Sequence, residues 1–477
     1  MIPQLLLRNP QALVTIIVPI AHSIPAQHEL GKNGMEGDKR IIIIHYGEED
    51  EVRKQFAVTG MEELSKFMEM LQDAVINLYP KKLKCQPIYD PLLKRDITLH
   101  PIPPTLAFLD ISVACTRGVV VCHEYNQELG YKTKLVILFP LGSEHVSWFV
   151  HLVCLDGLLT YKERMNKILN AAPEDRDRIY DERLGENKDY IELPGYPPFY
   201  VWEGQLTQPD DFIQILHPVY GSLSYIEAMV HARPRYLGKV YQEEMRKEGH
   251  KVLFTGPLLP KQLDDGSQFP DDGGVKRFLD RVLTEKGKNS VFRYTHVPSK
   301  PQQLSILLDV LIGLDIRFIL AQGVAPVELQ LLAKQKILTK DYDDKAMLIP
   351  WANQFAVLSH EATGWFLNHG GSNSTMKSLK TEAPIVFWPD DVHQINKVGY
   401  EFIQIRNGPN IGRVTAHNPH NVISGTNEAI EKEFKDVFGQ LDSEEFGLNI
   451  RKDIQRVGNE VDDDEITREG WKELIKM

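Results

Sequence analysis

The side chains best suited to chemistry lie between Trp351 and Gln394. An apolar run ending at Asn368 is followed by His369, Gly370 and Gly371, and then by Ser372, Asn373 and Ser374, where a helical period begins. A strand that turns through two glycines into a helix leaves unbonded backbone N–H groups beside the positive end of the helix dipole. The glycines let the backbone approach phosphate oxygens without a Cβ in the way, and His369, Asn373 and Ser374 add side-chain donors. Taken alone, the segment is equally a plain strand-to-helix turn with Ser or Asn as its N-cap. Trp351 and Gln354 favour a ligand. An indole beside a helix start can stack a uracil, and a carboxamide can bond a ribose hydroxyl, although Trp351 by itself also suits a core position after a strand.

The elements around this segment alternate between short β-branched runs and longer stretches of helical period. In the first half, Val14 to Val18, Arg40 to His45, Leu106 to Ile111 and Lys134 to Phe139 read as strands. Met61 to Tyr79, Gly118 to Gly130 and His145 to Gly157 read as covering helices, and Thr160 to Arg183 as a charged amphipathic one. Leu193 to Trp202, rich in proline and aromatics, reads as an inserted loop. Leu258 to Gly274 mixes Pro, Gly and Asp without period and is the candidate interdomain linker.

Beyond the linker the pattern predicts strands Ser290 to Thr295, Asp315 to Gln322, Ala346 to Pro350, Gly364 to Asn368 and Ile385 to Pro389. Helices are expected over Gln302 to Leu314, Ser374 to Thr381 and His393 to Ile403. The fold class is therefore α/β: two tandem Rossmann-like, doubly wound domains facing across a cleft, with ligands at the carboxyl ends of the strands. We divide the chain into an acceptor-binding domain 1–250, a nucleotide-binding domain 251–445, and a helical tail 446–477 that packs back on the first domain.

The runs WANQ at 351–354, FLNHGGSNST at 366–375 and WPDDVHQ at 388–394 together resemble the donor-binding box of the family-1 UDP-glycosyltransferases, which have the GT-B architecture. FTGPL at 254–258 and AMLIPWANQFAVLSH at 346–360 resemble the phrases that precede that box, so the resemblance covers roughly Leu253 to Ile403. It implies that Trp351 is the uracil platform and Gln354 a ribose contact. It makes His369, Asn373 and Ser374 the diphosphate ligands, with Gly371 the close backbone approach and Gln394 a contact to sugar hydroxyls. It also implies inverting transfer of a hexose from a UDP-sugar, with no metal and no cofactor beyond the donor, in which protein donors neutralise the developing UDP charge.

The sequence departs from the family pattern at two box positions. Lys377 stands where a glutamate usually holds the ribose, and His393 where an aspartate usually precedes Gln394. For the catalytic base two registers are open. In one, Ile2 to Arg8 ends the family's first helix and Ala12 to Pro19 is its second strand, which places the first strand and its histidine before Met1. In the other, Val14 to Ile20 is the first strand and His22, in HSIP, is the base; Gly31, Gly34 and Gly37 then make a poor helix after it. Asp110, in FLDIS, fits the aspartate that orients such a base, and fits a strand-end cap as well.

Bulk properties narrow the remaining choices. A length of 477 residues predicts two large domains. The formal charge of -12 argues against a nucleic-acid partner, which needs a basic surface, and favours a small ligand. No apolar run is long enough to span a membrane, and the interrupted start does not read as a signal peptide, so a cytosolic protein is expected. The four cysteines, Cys85, Cys115, Cys122 and Cys154, have no metal-ligand spacing.

Two functions follow. One is an enzyme that glycosylates a hydroxyl of a lipophilic small molecule, its acceptor pocket drawing on Phe139 to Phe149 and Tyr196 to Trp202. The other is a degenerate homologue that binds UDP-sugar without transfer. A nicotinamide-dependent oxidoreductase lacks its GxGxxG after a first strand.

Overall fold

The computed structural model describes the chain apart from residues 21–22, 48–60, 140–170, 173–174, 176–189, 192–198, 201–202, 204–218, 220, 236–237, 248, 258–273, 295–299, 323–324, 389–397, 407–409, 417, 442, 444 and 462–463. His22, the expected helices His145 to Gly157 and Thr160 to Arg183, most of the acceptor segments, and the linker up to residue 273 thus lie outside the described residues. Two compact units emerge. Unit 1 is Met1–Tyr180, Thr207–Leu258 and Asp464–Met477; unit 2 is Asp181–Leu206 and Leu259–Asp463. Among the described residues no helix is long and apolar enough to cross a membrane.

Unit 1 holds two parallel sheets. β1 (Val14–Pro19) pairs with β2 (Ile41–Tyr46), and their β-branched runs bring Ile16 opposite Ile43 and Ile17 opposite Ile44. β3 (Ile88–Asp90) and β4 (Arg95–Ile97) form a small antiparallel hairpin. The second sheet has the order β8-β7-β6-β5, from β5 (Leu106–Asp110), β6 (Lys134–Phe139), β7 (Ala228–His231) and β8 (Val252–Phe254). Its middle strands are apolar almost throughout because helices cover both faces, as a parallel sheet requires. On one face, α3 (Met61–Leu83) and α4 (Gly118–Leu129) join the core of Leu109, Leu135, Ile137 and Met229. On the other face, α1 (Ile2–Arg8) contributes Leu5, and α13 (Asp464–Lys476) contributes Trp471 and Leu474, against Val136, Ala228, Val230 and Leu253. Trp471 donates its indole N–H to the Thr255 carbonyl at 2.9 Å, so the largest buried side chain of that face leaves no polar atom unmet.

One local expectation fails in unit 1. The glycines after His22 argue against a helix there, yet α2 spans Ser23–Lys32. Gly31 is tolerated inside it, and Gly34 and Gly37 fall just beyond, at φ 67° and 71°, where they form the turn that ends the helix.

Unit 2 is a single six-stranded parallel sheet of order β11-β10-β9-β12-β13-β14. Its strands are β9 (Val291–Tyr294), β10 (Arg317–Ala321), β11 (Ala346–Ile349), β12 (Thr363–Asn368), β13 (Ile385–Phe387) and β14 (Gly399–Glu401). The order reverses between β9 and β12, which is the topological switch of a doubly wound sheet. α6 (Val275–Lys286) packs on one face, burying Val275, Phe278, Leu279 and Val282. On the other, α7 (Pro301–Gly313) opens with Pro at its first position and buries Leu304, Leu307, Leu308 and Leu311 at three- and four-residue steps. α8 (Val327–Thr339) was not expected from sequence. It buries only Leu329, Ala333 and Ile337, a stripe narrow enough to pass as loop. The expected helix from His393 to Ile403 is corrected: its described part is β14, an edge strand whose residues are half-buried and therefore weakly patterned. The expected loop Leu193 to Trp202 is corrected in part, because Phe199–Tyr200 pairs with Tyr190–Ile191 as a short hairpin.

α11 (Asn427–Phe438), capped by the Thr426 hydroxyl on the Ala429 N–H, carries the buried Glu433. Its carboxylate accepts from the N–H groups of Ile403 and Gln404, each at 3.0 Å, and from the Tyr400 hydroxyl at 3.2 Å. Burial dominates and pushes its pKa from 4.5 up to about 7. The folded state therefore retains, between those pH values, a proton that the unfolded chain has released. The stability this group contributes is complete below the unfolded pKa and declines as pH rises to about 7. We expect the melting temperature of unit 2 to fall between pH 5 and pH 8, with a flatter slope in Glu433→Gln, as differential scanning calorimetry across that range will report.

Candidate active site

The loops at the carboxyl ends of β11 and β12 bring most of the described box residues together. β12 ends at Asn368, whose carboxamide oxygen accepts the Gly370 N–H at 2.6 Å and so folds the chain back on itself. Gly370 takes φ 90°, a left-handed conformation that a side chain would resist. α10 (Ser372–Thr381) begins directly after. Its N-cap is Gly371, with no side-chain cap. The turn with Ser or Asn as its N-cap that the sequence left open is thus not what forms: the N-cap is Gly371, and Ser372, Asn373 and Ser374 sit in the first turn. The Thr375 hydroxyl instead ties the turn from behind, donating to the Gly370 and Gly371 carbonyls at 3.1 and 3.2 Å.

His369 packs edge-on to Gly371: a Cβ placed there would lie 2.4 Å from His369 Nε2. The second glycine therefore keeps the imidazole against the helix start. Beneath the turn the Asn368 carboxamide nitrogen is buried and makes no hydrogen bond. An unmet buried donor costs about 1–3 kcal/mol, so such groups concentrate where a ligand satisfies them.

β11 supplies the other wall. After its last residue, Trp351 stands 73% exposed, which disposes of the reading as a core tryptophan. Asn353 then caps α9 (Gln354–Ser359), accepting from the Phe355 and Ala356 N–H groups. This places Gln354 at the first position of α9, facing α10. Its Nε2 donates to Ser374 Oγ at 3.0 Å, and its Oε1 accepts from Lys377 Nζ at 2.9 Å. Asn373 is exposed at the start of α10. His393 and Gln394 lie outside the described residues.

Sequence reasoning missed a second cation. Arg293, in the middle of β9, is 1% exposed. It donates from Nη1 to the Gln354 carbonyl at 3.2 Å and lies 6.0 Å above the Phe366 ring, with no salt bridge among the described residues. Burial alone pulls its pKa down to about 9. The signal was a charged residue inside an otherwise apolar central strand (VFRY). Arg293, Lys377 and the positive end of α10 together make this floor cationic, and it suits an anionic ligand.

Of the expected catalytic pair, His22 lies outside the described residues. Asp110 ends β5 and caps a one-turn helix, Ile111–Ala114, accepting from the Ser112 N–H at 3.0 Å and its hydroxyl at 2.6 Å. Its carboxylate is exposed. Elsewhere in unit 1, and unanticipated, His45 at the end of β2 bonds Asp90 Oδ2 through Nδ1 at 2.7 Å and Ser23 Oγ through Nε2 at 2.8 Å. Burial raises the Asp90 pKa, but the N–H groups of Leu93 and His45 and the His45 ring outweigh it and hold the carboxyl below its ordinary value. All three side chains are buried, and they pin α2 and the β3–β4 hairpin to β2.

Comparison with known proteins finds a family likeness over the same stretch of chain. The UDP-glucoronosyl and UDP-glucosyl transferase family model matches residues 320–400, from the end of β10 through β14. A UDP-glycosyltransferase of Hericium erinaceus, eriJ, is 28% identical over 284 residues, covering 53% of this chain and 54% of that protein. Mogroside I-E synthase of Siraitia grosvenorii is 38% identical over 244 residues, 44% of this chain and 47% of its own. The chain thus spans about half the length of the curated relatives it matches. Among solved structures, a transferase from Siraitia grosvenorii in complex with UDP superposes with a TM-score of 0.64 at 16% identity, covering 99% of this chain and 94% of its own. A UDP-glucosyltransferase from Polygonum tinctorium gives 0.62 at 18%, covering 97% and 98%. At such identities these structures establish the fold, that of the GT-B enzymes with two Rossmann-like units.

Proposed function

Because the chain is a relative of the family-1 UDP-glycosyltransferases, we propose that it transfers a hexose from a UDP-sugar to a hydroxyl of a lipophilic small molecule, with inversion and without a metal. The observation that carries this reading is the start of α10, where the N-cap Gly371 offers no side chain and holds His369 close, joined through Ser374 to Gln354 on the loop that bears the exposed Trp351. A nucleoside diphosphate fits that arrangement. Trp351 stacks the uracil, and His369, Ser374 and the N–H groups of residues 372–374 take the diphosphate. As the acceptor oxygen bonds to the anomeric carbon and the bond to UDP breaks, the negative charge on the leaving diphosphate grows. Donors already aimed at it stabilise that charge without reorganising. The acceptor's proton passes to a base, for which His22 is the candidate within the chain, oriented by Asp110. Unit 1 is the acceptor-binding part, and His393 and Gln394 read the sugar.

A second reading, binding without transfer, is favoured by Asp110, whose carboxylate is engaged by Ser112 in the described residues. Loss of a general base slows transfer by about 10²–10⁴, roughly 3–5 kcal/mol of barrier, and leaves donor binding untouched. One experiment separates the two: incubation with UDP-glucose and a panel of lipophilic phenols and sterols, following product and free UDP. Transfer predicts both. Both readings predict that UDP raises the melting temperature by mass action, and that Trp351→Ala weakens UDP roughly tenfold or more, since a base stack is worth about 1–3 kcal/mol. A parent protein that ignores UDP in titration calorimetry contradicts both.

A further inference from the structure

We infer that Lys377 makes this site indifferent to the ribose 2′-hydroxyl, so that 2′-deoxyuridine diphosphate binds about as well as UDP. The inference rests on the reading of Trp351 and Gln354 as the nucleoside wall. A ribose diol is held best by groups that accept its protons, a carboxylate above all, and a site built around such a hydroxyl rejects the analogue lacking it by roughly tenfold or far more.

The wall of this protein is arranged the other way. The Gln354 side-chain oxygen accepts from the Lys377 ammonium at 2.9 Å. Its amide nitrogen is directed to Ser374 Oγ at 3.0 Å. Its backbone carbonyl is taken from below by Arg293 at 3.2 Å. An ammonium has three donors and no acceptor. Lys377 therefore occupies one of the two lone pairs of the carboxamide oxygen and adds an ammonium that offers a ribose donors only. A hydroxyl that only receives a bond at such a surface does little more than the water it displaces, and its removal lets that water return.

The test compares UDP with dUDP by titration calorimetry on the full chain. In the parent the two dissociation constants are expected to agree within about threefold. Lys377→Glu supplies the missing acceptor and frees the Gln354 oxygen, and is expected to give at least a tenfold preference for UDP. Lys377→Gln, which removes the charge and brings one amide acceptor, is expected to fall between them. A parent that already binds UDP tenfold or more tightly than dUDP overturns the inference and leaves the nucleotide site standing. So does a Lys377→Glu protein that folds, binds UDP and still fails to discriminate. A parent that binds neither nucleotide overturns the inference together with the site on which it rests.

Discussion

Replacing Gly371 with alanine is expected to weaken UDP binding tenfold or more while leaving the fold intact. At φ -53° and ψ 137° the backbone there accepts an alanine, so the penalty is steric and local. The new methyl would lie 2.4 Å from His369 Nε2 and 3.0 Å from its Cε1, and the imidazole has to turn off the helix start. That removes one donor to the diphosphate, and a hydrogen bond to a charged group is worth about 1.5–3 kcal/mol. The same methyl narrows the approach of phosphate oxygens to the N–H groups behind it. Titration with UDP, alongside a melting curve without ligand, measures both halves. A variant that binds UDP as the parent does removes His369 and the helix start from the site. Asn373→Ala makes the useful companion, because it lies on the same turn with an exposed side chain and no role in seating the imidazole.

Gly470→Ala carries the largest expected effect on stability. Gly470 lies where α13 crosses β8, and a Cβ there would stand 1.9 Å from the Phe254 carbonyl oxygen. No rotamer relieves a backbone clash, so the helix must lift. Lifting exposes Trp471 and Leu474 and breaks the indole bond to Thr255. Truncating a buried tryptophan costs about 3–5 kcal/mol, and displacing the helix is expected to cost a comparable amount. Unit 1 should unfold at markedly lower temperature and lose residues 464–477 first to a protease. UDP binding, which lies in unit 2, should survive below the transition. Unchanged melting in Gly470→Ala would mean that α13 does not dock as described.

The donor box was legible because its chemistry and its fold share one stretch of chain. A strand, two glycines and a helix start are all local, so spacing alone reveals them, and β12 and α10 form as the pattern predicts. Trp351 was read as a base-stacking platform from the motif around it, but an indole after a strand is usually core, and only the structure shows it exposed. Lys377 was readable as a departure from the family, but its bond to Gln354 spans two helices and leaves no trace in local spacing. Arg293 was missed for the opposite reason: a lone cation inside a buried strand breaks the hydrophobic pattern, and pattern reading passes over what it cannot place. The boundary errors have the same source. β14 is an edge strand and α8 buries a narrow stripe, so neither imposes a clear period. The Asp90–His45–Ser23 cluster joins residues far apart in sequence, and only the tertiary structure brings them together.

The placement of α13 also orders events during synthesis. The strands of unit 1 leave the ribosome early, yet one face of β6, β7 and β8 receives Trp471 and Leu474 only after all of unit 2 has followed. Until then a nascent chain carries a greasy, parallel-stranded platform open to water. A premature stop just past Asp463 should therefore yield a protein that still grips uridine diphosphate but is handed to chaperones and proteases through its other half.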